Sequence, residues 1–366
     1  MGDAYMRRAL ELAERGIGLV SPNPLVGAVV VRDGQVLGEG WHEGPGRPHA
    51  EIVAIDAAGD RARGATLFTT LEPCSHFGRT PPCAPRIAEA GIRRVVAAIG
   101  DPNPMVDGGG FSALRAAGLE VESGSLAGEA LRQNRAYLKH VRTGLPYVTL
   151  KMAASLDGKV AARDGSSRWV TGEAARAEVH GMRAAVDAIM VGAGTAMRDD
   201  PALTVRDPSY PGRPKLRVVV DGAGIVPETG QVFTDGRAPT LVATTERAPE
   251  ACRRAWADAG AEVLVLGDPG TAHTPLDRLF EILGKRDLQH VLLEGGPTLA
   301  WAAADAGLVD RVVVFLAPVL LGGAAAPGIL MGEGRPSVVD ALRLQIVNVD
   351  RVGDDIKVVA DVHRDR

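Results

Sequence analysis

His49-Ala50-Glu51, followed by Pro73-Cys74 and, after eight intervening residues, by Cys83, decides how the rest of the chain is read. One imidazole and two thiols are zinc ligands by type. Zinc in a structural role takes four protein ligands as a rule, whereas a catalytic ion keeps one position for water. The remaining cysteine, Cys252, stands far along the chain, so His49, Cys74 and Cys83 form a three-ligand set with an open fourth position. Two thiolates already cancel the charge of the ion, which leaves a bound water less acidic than at an all-histidine site. A proton carrier beside the metal is therefore required. Glu51, two residues from the ligand His49, is placed to be that carrier.

A His-x-Glu followed by Pro-Cys and a second cysteine is the arrangement of zinc deaminases, where the glutamate is acid and base and not a ligand. Two residues separate the cysteines in that general pattern. Here residues 75–82 form a longer insert, long enough to wall a substrate pocket. The competing reading is a zinc-free or structural arrangement in which His49 and Glu51 merely cap a helix.

Strands and helices alternate around this stretch. Residues 26–31 and 36–40 read as strands joined by the Asp33-Gly34 turn, 50–58 as a helix and 65–71 as a strand. Residues 80–90 read as a helix, 95–99 as a strand, and 129–140 as one further helix. Short connections between such elements imply an α/β layer structure. Arg142-Thr143-Gly144-Leu145-Pro146 is the linker candidate and divides the chain into residues 1–144 and 145–366. A second alternation starts with a strand at 147–152 and ends with a pair near 342–349 and 355–363.

At 366 residues the chain is long for one core and ample for two. A net charge of −4 gives no attraction to nucleic acid or to an anionic membrane. Charges at Asp3, Arg7, Arg8 and Glu11 exclude a signal peptide at the start. No run approaches the roughly 18 apolar residues that span a bilayer. Three cysteines argue for a reducing compartment, and the expected location is the cytoplasm.

Ser21-Pro22-Asn23-Pro24-Leu25-Val26-Gly27, His49-Ala50-Glu51 and the run Leu71-Glu72-Pro73-Cys74-Ser75-His76-Phe77-Gly78-Arg79-Thr80-Pro81-Pro82-Cys83 together resemble a known family. It is the bifunctional deaminase/reductase family of riboflavin biosynthesis. The resemblance continues through Asp101-Pro102-Asn103-Pro104 into the second half. It implies a cytidine-deaminase-like α/β/α domain that hydrolytically deaminates a phosphoribosylated diaminopyrimidinone. Asn23 would hold the pyrimidine and His76 would touch substrate from the insert. By local chemistry alone, Asn23 reads equally well as a turn residue between two prolines.

The second half offers two glycine turns, Val191-Gly192-Ala193-Gly194-Thr195 and Glu294-Gly295-Gly296-Pro297-Thr298, each after an apolar strand. Such turns let backbone N–H groups approach an anion at a helix N-terminus. Neither has the Gly-x-Gly-x-x-Gly spacing, and each alone is as often a structural turn; the pair inclines toward a dinucleotide. Lys151-Met152-Ala153-Ala154-Ser155-Leu156-Asp157-Gly158-Lys159, Ser167-Arg168-Trp169-Val170-Thr171 and the run from Arg198-Asp199-Asp200 to Arg206 are similar to the reductase half of the same family. That implies a dihydrofolate-reductase-like α/β domain using NADPH. By the resemblance, Ala153, Trp169, Thr195, Asp199 and residues 296–302, with Gly296, Pro297 and Thr298 at their head, line the cofactor. Ser167, Arg183, Leu203, Arg206 and Glu294 line the substrate.

The implied reaction opens the ribosyl ring to an imine and delivers hydride to its first carbon. The substrate phosphate calls for arginine, with Arg183 and Arg206 the candidates; the plain alternative is solvated surface arginines. Lys151, Asp199 and Glu294 are candidates for proton movement, although Asp199-Asp200-Pro201 is also good turn chemistry. The resemblance further implies a homo-oligomer formed through the second domain. A polynucleotide-editing deaminase would need a basic surface and stacking aromatics, against an acidic balance and 4% aromatic residues. A nucleoside deaminase fused to an unrelated reductase, and a non-catalytic zinc-binding regulator that would not need Glu51, are the remaining alternatives.

Overall fold

Strand β1 (Gly27–Arg32) turns into β2 (Gln35–Trp41) through Asp33 and Gly34, both at positive φ, the backbone that a two-residue hairpin of right-handed twist demands. The computed structural model describes residues 2–207, 210–268 and 270–363, and the chain divides into two units, Met1–Leu145 and Pro146–Arg366. Among the described residues no helix is long and apolar enough to cross a membrane.

In the first unit, α1 (Gly2–Glu14) precedes the hairpin; α2 (Ala50–Ala58), β3 (Thr66–Leu71), α3 (Cys83–Glu89) and β4 (Arg94–Ile99) follow it. Then come α4 (Gly109–Ala116), β5 (Glu120–Ser123), α5 (Ala127–Gln133) and α6 (Arg135–Thr143). The sheet runs β2-β1-β3-β4-β5, antiparallel at the hairpin and between β1 and β3, parallel from β3 to β5. Alternate residues of one strand enter different cores, because successive side chains leave a strand on opposite faces. Ala28 and Val30 of β1 pack with Ala54, Leu67, Ile87 and Leu114, whereas Val29 and Val31 pack with Met6, Leu10, Phe68 and Leu138. The result is an α/β/α sandwich with α2, α3 and α4 on one side.

Glycines let a helix backbone touch the sheet. A Cβ on Gly38 would lie 2.1 Å from the Ala54 carbonyl oxygen, and one on Gly40 2.3 Å from that of Ala50. Helix α2 therefore rests on β2 with no side chain between them. Gly38→Ala is expected to destabilise the unit by at least the roughly 1–3 kcal/mol of an overpacked core. The readout is a lowered denaturation midpoint of the full chain, with zinc content falling alongside, since His49 caps α2. An unchanged midpoint would mean that α2 can slide away at no cost.

Two helices depart from the sequence expectation. The single helix expected over 129–140 is two, α5 and α6, interrupted at Asn134. The buried Asn134 amide accepts from the Leu25 N–H at 2.8 Å and donates to the Leu25 carbonyl at 2.9 Å, as a neighbouring strand would. That pairing fixes the loop bearing Asn23. The helix expected over 80–90 opens only at Cys83, because Pro82 holds the extended backbone of an N-cap.

The second unit holds β6 (Tyr147–Ser155), α7 (Glu173–Ala184), β7 (Ala188–Gly192), α8 (Ala193–Asp199), β8 (Leu216–Val220), α9 (Gln231–Thr234), β9 (Thr240–Thr244) and α10 (Glu250–Asp258). They are followed by β10 (Glu262–Val265), α11 (Leu276–Lys285), β11 (His290–Glu294), α12 (Pro297–Asp305), β12 (Arg311–Ala317), β13 (Leu344–Val352) and β14 (Asp355–Val362). The sheet order is β10-β9-β8-β7-β11-β6-β12-β14-β13, parallel from β10 to β12 and antiparallel over the last two strands. Met190, Val218, Leu241 and Leu293 enter one core, and Ile189, Val219, Val242 and Leu292 the other, so both faces of the parallel part are covered. The stretch after β7, expected as a glycine turn, continues into α8, and Asp199 closes that helix rather than opening one.

Candidate active sites

In the first unit three elements bring the zinc-type ligands to one point. His49 caps α2, Cys83 opens α3, and Cys74 lies just beyond β3. His49 Nδ1 stands 3.1 Å from Cys83 Sγ and 3.5 Å from Cys74 Sγ, and the three ligand atoms lie within 4.8 Å of one another. The other ring nitrogen, Nε2, is 3.1 Å from the Thr80 hydroxyl, a partner that orients the imidazole. The Cys83 N–H points at Cys74 Sγ at 3.4 Å. Glu51 is only 3% exposed, and its Oε2 has no hydrogen-bond partner among the described residues. One nitrogen, two sulfurs and an adjacent carboxylate with one unsatisfied oxygen fit a zinc ion that keeps a water.

The electrostatics agree. Hydrogen bonding from the Cys83 thiol, and from His49, holds the Cys74 sulfur down, toward the thiolate that binds metal. The Cys83 thiol is pushed up by Cys74 and by burial, and the ion's own charge is what would release its proton. The His49 imidazole is raised, chiefly by its contact with Cys74. Burial pushes the Glu51 carboxyl up to about 7.

A cavity of about 280 Å³ opens over these groups, and its wall includes Asn23, His42, His76 and Arg79. The Asn23 amide donates to His42 Nε2 at 2.8 Å, and His42 Nδ1 donates to the Pro48 carbonyl at 3.1 Å. Burial lowers the His42 pKa, in keeping with a neutral ring that accepts from Asn23. His76 lines the same cavity with a buried Nδ1 that has no hydrogen-bond partner among the described residues. Sequence reasoning missed His42, Thr80, Glu72 and Tyr137, which lines the cavity and donates its hydroxyl to Asp101 at 2.9 Å. Glu72 accepts from the N–H groups of Asp101, Gly108 and Phe111 at 3.0–3.3 Å and fixes the wall of the cavity. Its signal was present, a carboxylate ending an apolar strand just before Pro73-Cys74. His42 had no local signal.

In the second unit the chemistry gathers at the carboxyl ends of the parallel strands. Lys151 on β6 is in register with Glu294 on β11. Arg183 grips Glu294 with both prongs, Nε to Oε1 at 2.6 Å and Nη2 to Oε2 at 2.8 Å, and its Nη1 donates to the Thr204 carbonyl at 3.2 Å. Burial pushes the Glu294 carboxyl up, but the charge and hydrogen bonds of Arg183 outweigh it and hold the group below the usual carboxylate range. Burial lowers the Lys151 pKa, with Glu294 and Asp199 opposing. Ser167 donates to Asp199 Oδ1 at 3.2 Å, and the Arg168 guanidinium donates to the Asp199 carbonyl.

The two glycine turns meet because β7 and β11 are neighbours. A Cβ on Gly296 would lie 3.3 Å from the Thr195 hydroxyl and 3.7 Å from the Gly192 nitrogen, while Pro297 opens α12. Ala153 follows Lys151 on the same face of β6. Trp169 is exposed, with the Arg176 guanidinium 4.5 Å above its ring. Leu203 is buried, whereas Arg206 and Thr298 are exposed. His180, one turn before Arg183 on α7, is a missed neighbour of this group, with a buried Nδ1 that has no hydrogen-bond partner among the described residues.

Fold and sites together define a zinc-type pyrimidine deaminase domain joined in one chain to an NADPH-type reductase domain. Residues 2–99 match the family described as cytidine and deoxycytidylate deaminase zinc-binding region, and residues 146–358 match the RibD C-terminal domain. The riboflavin biosynthesis protein RibD of Bacillus amyloliquefaciens is 44% identical over 375 residues, covering 100% of both chains. The structure of Acinetobacter baumannii RibD superposes with a TM-score of 0.89 at 38% identity, covering 99% of each chain. The Thermotoga maritima protein described as a diaminohydroxyphosphoribosylaminopyrimidine deaminase/5-amino-6-(5-phosphoribosylamino)uracil reductase superposes at 0.85, with 35% identity and 99% and 98% coverage. The chain belongs to the RibD family, the bifunctional deaminase/reductases of riboflavin biosynthesis.

Proposed function

We propose that the first unit deaminates a diaminohydroxyphosphoribosylaminopyrimidine and that the second reduces the ribosyl group of the resulting uracil to ribityl. The buried Glu51 carboxylate, its Oε2 without a hydrogen-bond partner among the described residues, beside His49, Cys74 and Cys83 carries the first half of this reading. Zinc held by those three residues would supply a water of lowered pKa. Glu51 would take a proton from the attacking water and hand it to the amino group that leaves as ammonia. Asn23, fixed by His42, and His76 hold the pyrimidine, and Arg79 is the cation on the cavity wall for the phosphate.

In the second unit NADPH supplies the hydride. Ala153, Trp169, Thr195, Asp199 and the turn Gly296-Pro297-Thr298 line the nucleotide. Lys151, with Asp199 and Glu294 close by, manages the protons of ring opening and imine reduction. Arg183 is committed to Glu294, so Arg206 takes the substrate phosphate, with Ser167 and Leu203 beside it. Two copies associate through β13, an end strand of the sheet carrying exposed Ile346 and Val349. The three free cysteines suit work in the cytoplasm.

A coupled assay tests this reading: ammonia release from the phosphoribosylaminopyrimidine, then NADPH consumption that depends on the deaminated product. Equal turnover of free cytidine would overturn the first assignment. Equal turnover of dihydrofolate or of any simple aldehyde would overturn the second.

A further inference from the structure

Beyond the glycine turns, the loops after β8, β9 and β10 are tied into one rim. Asp221, just past β8, turns its carboxylate onto its own loop. Its Oδ1 accepts from Ala223 and Gly224 at 3.2 and 2.9 Å, and its Oδ2 from Ile225 and Val226 at 2.8 and 2.7 Å. Successive amides of this kind make an anion nest. Here the chain fills the nest itself, so another anion arriving at this rim must be met by side chains.

The Thr244 hydroxyl donates to the Asp221 carbonyl at 2.6 Å, and that of Thr245 to the Gly222 carbonyl at 2.8 Å. Arg247 donates through Nη1 to the Ala272 carbonyl at 2.6 Å, which brings the third loop alongside. Thr274 on that loop is 8% exposed, and its hydroxyl has no hydrogen-bond partner among the described residues. A buried hydroxyl left in this way costs stability unless a ligand satisfies it. Gly222 packs directly against it, since a Cβ there would lie 3.2 Å from Thr274 Oγ1. Arg247 is exposed, and no carboxylate among the described residues pairs with it, in contrast to Arg183. A guanidinium that no carboxylate occupies and an unsatisfied hydroxyl on the same rim suit an oxyanion.

The sheet order says which one, on the reading of this unit as an NADPH reductase. Ligands of parallel sheets lie along the carboxyl ends of the strands. Lys151 and Ala153 place the reacting end over β6, and the glycine turns with the start of α12 place the pyrophosphate over β11 and β7. Continuing the same way, β8 and β9 come next; β6 to β9 is four steps of about 4.8 Å, on the order of 19 Å, the scale of an extended dinucleotide. The adenosine end therefore falls on the rim.

We propose that Arg247 and Thr274 recognise the 2′-phosphate of the cofactor's adenosine and so set the preference for NADPH over NADH. The test is calorimetric titration of the full-length protein with NADPH and with NADH. Arg247→Ala is expected to weaken NADPH by about 10- to 100-fold, the worth of a charge-assisted contact, and to leave NADH within about twofold. Thr274→Val is expected to weaken NADPH alone by a smaller factor. Arg247→Lys, which keeps the charge, is expected to recover most of the NADPH affinity. A ratio of the two dissociation constants that does not move in either Arg247 variant overturns the proposal. If the unaltered protein binds neither nucleotide, the NADPH-reductase reading itself falls.

Discussion

Glu51→Gln is expected to retain about one zinc per chain and to release ammonia about two to four orders of magnitude more slowly, the range that a positioned proton carrier contributes. The two effects separate because the ligand atoms belong to other residues. His49 Nδ1 and the sulfurs of Cys74 and Cys83 already lie within 4.8 Å of one another without Glu51. Glutamine keeps the shape of the side chain and the buried packing under α2 but cannot carry a proton. Cys83→Ala makes the opposite cut: it removes a ligand, so zinc and ammonia release should be lost together. NADPH oxidation on separately supplied deaminated product should survive in both variants, because the groups assigned to it all lie beyond Pro146. Metal analysis and ammonia release on the same preparation decide the matter. Wild-type ammonia release from zinc-loaded Glu51→Gln would sink the assigned role.

The zinc cluster was legible because its chemistry is local in type, if not in sequence. Two soft ligands and an imidazole are scarce in a chain with three cysteines, so His49, Cys74 and Cys83 could be matched without knowing the fold. The layer class was legible for a similar reason, since apolar strands covered on both faces alternate with amphipathic helices. What stayed hidden depends on contacts far apart in the chain. Asn134 reads as an ordinary helix residue until its amide pairs with Leu25, more than a hundred positions away. His42 gains its meaning from Asn23, nineteen positions earlier, which the pairing of β1 with β2 brings near. In the second unit, Arg183 read as a phosphate ligand by residue type, and only the fold reveals that Glu294 occupies its fork. Strand adjacency is equally silent in the sequence: the two glycine turns stand about a hundred residues apart, yet β7 and β11 are neighbours.

Lys151→Met is expected to slow ribosyl reduction by about two to four orders of magnitude while NADPH still binds and the fold holds. The fold should hold because Glu294 keeps both hydrogen bonds from Arg183 when Lys151 is gone. Arg183→Leu is the informative contrast. The Arg183 and Glu294 side chains are 13% and 8% exposed, so removing the guanidinium leaves a carboxylate buried without its partner. That is expected to cost about 3–5 kcal/mol and to appear as a lowered denaturation midpoint before any kinetic defect is interpreted. A pH profile then distinguishes a proton donor from a mere counter-charge. Burial lowers the Lys151 pKa, so a protonated Lys151 is lost at a lower pH than an ordinary lysine, and turnover should fall as pH rises through that lowered value. In Lys151→Met the residual rate should lack this alkaline limb. Persistence of the limb in the variant would place the proton donor elsewhere, with Asp199 and Glu294 left as the groups to test.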